Sequence, residues 1–240
     1  MVQSSASRSF DTARSTGRRA LLAVAALALA LPMAASPAFA QAKAPRVKFV
    51  TSAGEFVMEV YPDKAPKTVA NFLQYVSDKH YDGTVFHRVI GNFMIQGGGY
   101  DASYTEKKTR PPVMHEGRES LAAGLRNEVG TVAMARTNDP NSASAQFFVN
   151  VKDNAFLDPT PIPPGDPVPR FEYQGRVYEN TPRANLLAAP QLYGYTVFGR
   201  IVSGMDVVNK IKDTPTGAGG PFPSDVPRTP VVIRSATLLK

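Results

Sequence analysis

The sequence predicts a mainly β fold, an antiparallel sandwich or a closed barrel, on three observations. Short runs of alternating apolar and polar residues recur at close spacing. Turn residues separate them. Only two stretches carry the three- and four-residue spacing of an amphipathic helix.

In chain order, Arg46 to Thr51 and Phe56 to Tyr61 alternate around Ser52-Ala53-Gly54-Glu55, a hairpin signal. Val69, Phe72, Leu73 and Val76 then share one face of a helix that Pro66 is suited to start. Further strand-like runs are Thr84–Ile90, Phe93–Gln96, Gly130–Ala135, Gln146–Val151, Tyr195–Val202 and Val231–Leu239. A second helix is predicted over Met205–Lys212, where Met205, Val208 and Ile211 share a face. Phe49, Met58, Phe86, Met134 and Phe147 are candidates to fill the interior, which argues against a hollow carrier barrel.

Residues 1–40 read as an address rather than as fold. Arg8, Arg14, Arg18 and Arg19 precede an apolar run from Ala20 to Leu31, and Ala38-Phe39-Ala40 supplies a small-residue cleavage site. The run is too short for a membrane span, which needs about 20 apolar residues. Export to the periplasm with cleavage after Ala40 is expected, by the general or the twin-arginine route, with no stable membrane insertion afterwards.

Removing that segment alters the charge argument. The whole chain has a net charge of +7, but four arginines and one aspartate lie in residues 1–40. The remaining bases are scattered, so nucleic-acid binding is not expected. Cysteine is absent, which excludes disulfides, thiolate metal sites and a cysteine nucleophile.

Residues 41–240 read as one domain with an insert at about 159–193 that holds eight of the 21 prolines. Within the insert, Arg170 to Tyr178 suits a small hairpin. An insert of this length is either functional or a tolerated surface decoration.

Elimination narrows the chemistry. His80, His87 and His115 lack the spacing of a helical zinc site, and each suits a structural or surface role. No G-x-S-x-G elbow, phosphate loop or carboxylate pair is evident. Gly97-Gly98-Gly99 reads as a sharp bend leaving a strand. What stands out is Arg88 among apolar residues. In a regular strand Phe86, Arg88 and Ile90 share one side, with His87 and Val89 on the other. An arginine laying its stem along an edge strand and a functional arginine both fit that pattern.

At this point family blocks become visible. Phe86-His87-Arg88-Val89-Ile90, followed by Phe93-Met94-Ile95-Gln96-Gly97-Gly98, resembles the signature of the cyclophilins, peptidyl-prolyl cis–trans isomerases. Gly130 to Arg136, Ser144 to Asn150, Phe156-Leu157-Asp158 and Tyr195 to Gly199 resemble further blocks in the family's order. The likeness runs from about Val47 to Leu239, is interrupted mainly by the insert, and is greatest to the periplasmic cyclophilins of Gram-negative bacteria.

The resemblance implies a closed eight-stranded antiparallel barrel capped by two α-helices. It implies an isomerase that needs no cofactor or metal and acts, as a monomer, on proline-containing polypeptides. The alternative is a non-catalytic proline-peptide-binding chaperone module on the same fold.

By position, Arg88 matches the catalytic arginine, with Phe93 and Gln96 beside it. Ile90, Met94, Ala135, Arg136, Gln146, Phe148, Phe156, Leu157 and Tyr195 match the substrate-binding positions. Phe156 stands where tryptophan is usual and Tyr195 where histidine is usual, so tight cyclosporin binding is not expected. Gly91-Asn92 replaces the usual Pro-Gly turn.

Overall fold

The computed structural model describes residues 44–239. The predicted export segment lies outside the described residues. In chain order the elements are β1 (Arg46–Thr51), β2 (Gly54–Val60), α1 (Pro66–Ser77), β3 (Thr84–Ile90), β4 (Met94–Asp101) and α2 (Gly117–Ala122). They continue with β5 (Thr131–Met134), β6 (Phe147–Asn150), β7 (Val168–Tyr173), β8 (Arg176–Thr181) and α3 (Arg183–Ala188). The last are β9 (Val197–Ser203), α4 (Met205–Lys212), β10 (Thr216–Gly219), β11 (Phe222–Pro227) and β12 (Ile233–Leu239).

Eight strands form one antiparallel sheet in the order β12-β1-β2-β9-β5-β6-β4-β3. Its concave side is filled. Phe49, Met58, Phe86, Met134 and Phe147 are each at most 2% exposed, and the Phe49 and Phe56 rings stack at 5.0 Å across the first hairpin. Helix α1 covers this core with Val69, Phe72, Tyr75 and Val76, and α4 adds Val208 and Ile211. Among the described residues, aromatic rings occupy the interior that a lipocalin-like carrier would keep hollow.

The closed barrel expected from the resemblance is corrected to an open half-barrel. Outer strands β3 and β12 share no ladder. They meet at an isolated Val85–Val232 bridge, where Gly83 N donates to Ile233 O (2.8 Å) and Phe86 N to Val231 O (3.0 Å). Pro230 has no N–H to extend that pairing.

Other differences are local. Four α-helices are present among the described residues instead of two, α2 and α3 being six-residue turns outside the apolar periodicity. Gly97–Gly99 lies inside β4 rather than at a bend beyond a strand. Gly98 has φ +88° and a Cβ there would lie 2.8 Å from the Tyr81 ring, which excludes larger residues. A Cβ on Gly99 would lie 2.5 Å from Gln146 Cγ and displace that side chain. The hairpin β10–β11 escaped the strand pattern because its residues are mostly glycine, proline, serine and aspartate.

The insert is a folded unit. Its hairpin β7–β8 spans the predicted Arg170–Tyr178 region, and Val168, Phe171, Leu186 and Leu192 form a small buried cluster. A hydrogen bond from Tyr195 N to Leu157 O (2.9 Å) ties its two ends together. An insertion whose ends already meet leaves the parent sheet undisturbed.

Candidate active site

The site begins with a defect in β3. Phe86 pairs with Gly97 and Arg88 with Gln96, so two residues on β3 span one step on β4. This β-bulge reverses the alternation. Phe86 and Val89 both enter the main core, while Ile90 packs on a second cluster and Arg88 is exposed. The expectation that Phe86 and Arg88 share a side is therefore corrected. Regular alternation assumes a regular register, and the bulge breaks it.

From Arg88 the ladders define one row across the convex face. Gln96 opposes Arg88, Phe148 opposes Gln96, Ala133 opposes Phe148, and Val197 opposes Ala133. Neighbouring strands are about 4.8 Å apart, so directly opposed side chains form a continuous strip. Its apolar end comprises Met94, Ala133, Phe148, Leu157 and Val197, with Ile90, Phe93, Ala135 and Tyr195 packed around them.

The polar end is prearranged. Gln96 Nε2 donates to Gln146 Oε1 at 2.9 Å. Ala135 N donates to Gln146 O at 3.0 Å, so Gln146 links both ends of the strip. Among the described residues, Arg88 enters no ion pair or side-chain hydrogen bond, and its guanidinium is available to a ligand.

Aromatic residues wall the remaining sides. The Phe148 and Tyr195 rings meet edge to face at 5.5 Å, and the Arg136 guanidinium covers the Tyr195 ring at 4.7 Å. Arg136 also donates from Nε to Gly194 O (2.9 Å) and from Nη1 to Thr137 O (2.8 Å). Its side chain thus fixes the Tyr195 loop, which position matching alone did not indicate. Phe93 and Phe156 stack at 5.7 Å, and Phe156 is 71% exposed.

An asparagine relay beneath the site was not legible in the sequence. Asn154 Nδ2 donates to Phe93 O (2.9 Å) and to Asn150 Oδ1 (2.8 Å). Asn150 Nδ2 donates in turn to Asn127 Oδ1 (3.2 Å), and Asn127 donates to Asp158 Oδ1 from N (2.8 Å) and Nδ2 (2.9 Å). The relay pins the strand turn that bears Phe93 to the 3-10 turn Ala155–Leu157, which bears Phe156 and Leu157. Of its members only Asn150 and Asp158 lie inside motif blocks, and Asn127 and Asn154 lie outside them.

Beside Arg88, a cavity of about 290 Å³ is lined by His87, Gln96, Tyr100, Gln146 and the first part of β11 at Phe222–Asp225. His87 packs between Tyr100 (4.7 Å) and Phe222 (5.4 Å), and burial lowers its pKa to about 4. It stays neutral at physiological pH, in keeping with a structural role. Among the described residues, no group of His, Asp and Glu side chains is arranged to hold a metal ion.

All twelve sequence-matched positions thus fall on the bulged strand, the strip or its aromatic walls. Among the described residues, the arrangement offers an unpaired cation beside two amides at one end and an apolar, aromatic-walled patch at the other. It suits a ligand with an apolar ring flanked by peptide groups.

Comparison with known proteins supplies an independent line. The family model described as cyclophilin type peptidyl-prolyl cis-trans isomerase/CLD matches residues 46–238. A peptidyl-prolyl cis-trans isomerase of Streptomyces antibioticus is 48% identical over 193 residues, covering 80% of this chain and 98% of the relative. Peptidyl-prolyl cis-trans isomerase B of Escherichia coli is 42% identical over 192 residues, covering 80% and 98%. Peptidyl-prolyl cis-trans isomerase A of Dickeya dadantii is 40% identical over 205 residues, covering 85% and 90%. Among solved structures, a Cryptosporidium parvum cyclophilin type isomerase aligns with a TM-score of 0.53 at 19% identity, covering 82% of this chain and 98% of that one.

Proposed function

This chain belongs to the cyclophilin-type peptidyl-prolyl cis-trans isomerases, and on that premise we propose that it accelerates X–Pro rotation in exported, folding polypeptides. The observation that carries this reading is the uncommitted Arg88 guanidinium beside the Met94–Phe148–Leu157 patch.

The mechanism follows from amide chemistry. Resonance holds the X–Pro bond planar, with a barrier of about 18–20 kcal/mol to rotation. In the twisted transition state the prolyl nitrogen regains a lone pair that the planar amide lacks. A guanidinium N–H from Arg88 donates to that nitrogen only when the pair has formed, so the interaction lowers the barrier rather than merely aiding binding. Met94, Phe148 and Leu157 receive the pyrrolidine ring, and Phe93 closes the patch against water. The Gln96–Gln146 pair addresses a substrate carbonyl or steadies Arg88. No proton changes hands.

A solved relative from Cryptosporidium parvum was obtained in the presence of the dipeptide Ala-Pro, which supports proline-containing chains as ligands for this fold. The basic, apolar and small-residue succession in residues 1–40 supports export to the periplasm with cleavage after Ala40. The processed protein is proposed to act as a monomer. Turnover of a proline-limited peptide at substoichiometric protein tests the reading. Binding without acceleration would leave a chaperone module in its place.

A further inference from the structure

The insert builds a second cavity beside the aromatic rim of the site. Its volume is about 410 Å³, and its lining includes Leu121, Phe156, Pro159, Pro161, Glu172 and Tyr173. That volume lies within the range that accommodates ligand side chains and small molecules. Three observations bear on what it holds.

The first is continuity. Phe156 belongs to both places: one neighbour of its ring is Phe93 at 5.7 Å, on the proline patch, and the ring also forms a wall of the cavity. An extended chain advances about 3.3 Å per residue, so a peptide leaving the patch across this ring pair reaches the cavity within about three residues.

The second is exposure. Phe156 is 71% accessible, an unusual setting for a phenylalanine held in place by a hydrogen-bonded turn. A single exposed ring is ordinary, but this one is continuous with Phe93 and with Leu121, Pro159, Pro161 and Tyr173. Contiguous exposed apolar surface marks recognition sites.

The third is rigidity. Tyr173 closes the hairpin β7–β8 and packs on the insert's own cluster of Val168, Phe171, Leu186 and Leu192, so the far wall is held by a folded unit. Arg118 Nη1 donates to Leu187 O (3.1 Å) and its guanidinium covers the Tyr193 ring (4.6 Å), anchoring the insert to α2.

We propose that this cavity is a second client subsite, which takes an apolar or aromatic side chain within about three residues of the isomerised proline. The subsite rests on the groove assignment above and extends it. The insert thereby converts a dipeptide-sized site into one that favours longer, hydrophobic stretches, such as those of unfolded chains. Glu172 is exposed and enters no ion pair among the described residues, whereas Arg126 on the same cavity is met by Asp158 (3.3 Å), so Glu172 biases the mouth toward basic neighbours.

The test uses the processed full-length protein and two fluorescent peptides. One is a tetrapeptide containing proline; the other is a twelve-residue peptide with the same core and leucine or phenylalanine three positions to either side. Binding is read by anisotropy and turnover by the proline-limited assay. The long peptide is expected to bind at least fivefold more tightly than the short one. Tyr173→Ala should remove most of that advantage while tetrapeptide turnover changes less than twofold. Glu172→Lys, an exposed change that does not disturb the fold, should weaken long peptides with lysine beside the leucine and not those with glutamate. Equal affinity for both peptides in the wild type, or parallel losses on both in Tyr173→Ala with Glu172→Lys silent, would overturn the subsite. Failure of the wild type to turn over either peptide would strike the isomerase reading instead, and the anisotropy comparison would still decide the subsite.

Discussion

Arg88 stands directly opposite Gln96 in the β3–β4 ladder, one step beyond the bulge that sends Phe86 into the core. The same bulge that spoils regular alternation aims the guanidinium at the outer face. Bulges recur next to active sites for this reason: one extra residue re-aims a side chain without rebuilding the sheet. The strip from Arg88 through Gln96 to Phe148 is then a consequence of register alone.

The Gln96–Gln146 hydrogen bond, at 2.9 Å, should matter to rate more than to stability. Gln96→Ala leaves Gln146 facing an open cavity where water can replace the lost partner. A neutral hydrogen bond contributes about 0.5–1.5 kcal/mol, so kcat/KM is expected to fall about two- to tenfold. Melting temperature should shift by no more than a few degrees, and steady-state kinetics with a thermal melt checks both.

Asn154 should behave oppositely. Its side chain is buried and donates to both Phe93 O and Asn150 Oδ1. Asn154→Ala strands the buried Asn150 Oδ1 and leaves Phe93 O with only its bond from Val151 N (3.2 Å), a loss of about 1–3 kcal/mol. Urea denaturation is expected to show that loss, with KM rising as the Phe93 turn loosens.

Glu116 is a further stability determinant. Its buried carboxylate accepts from Lys67 N (3.0 Å) and Thr68 N (2.8 Å), capping the first turn of α1 from 48 residues away. Removing it leaves two N–H donors unmet at the positive end of the helix. Glu116→Ala is expected to cost about 1–3 kcal/mol in chemical denaturation and to leave the kcat/KM of the folded fraction unchanged.

Stability and activity should part company with pH. Burial holds His87 and His115 at pKa values of about 4, against about 6.5 in an unfolded chain. Between those values the unfolded state binds more protons than the folded one. Stability is therefore fully present above about pH 6.5 and is lost as pH falls toward 4. His115 shows the reason in its contacts: its Nδ1 accepts from Gly117 N at 3.1 Å, and a protonated ring cannot. Denaturation at pH 7 and pH 5 should differ by about 1–2 kcal/mol for each histidine, and His87→Gln should reduce the difference accordingly. Because the mechanism moves no proton, kcat/KM should stay flat from about pH 6.5 to 8.5.

How far the sequence reached can be argued from particular residues. Val69, Phe72 and Val76 announced α1 because helical periodicity survives in any register. Met94, Phe148, Leu157 and Tyr195 were found through motif blocks and do converge in one cluster. The bulge at His87 was invisible because a strand's two faces can be assigned only once its partner's register is known. The β10–β11 hairpin beside Arg88 offered no apolar alternation to read. Incomplete closure between β3 and β12, and the Asn127–Asn150–Asn154 relay, depend on contacts between residues distant in sequence. The insert's prolines marked it as separate, and its position between the site-matched Leu157 and Tyr195 put it near the groove, while its fold shows the cavity wall it shares with Phe156.

The central claim is that Arg88 lowers the rotational barrier. The direct measurement is kcat/KM on a proline-limited peptide for the wild type and for Arg88→Ala, with the melting temperature recorded for each. Arg88 is exposed and unpaired among the described residues, so the variant should fold normally. A lost hydrogen bond from a charged donor costs about 1.5–3 kcal/mol, which predicts a fall of about tenfold or more at unchanged melting temperature. An equally folded variant with unchanged kcat/KM would contradict the account.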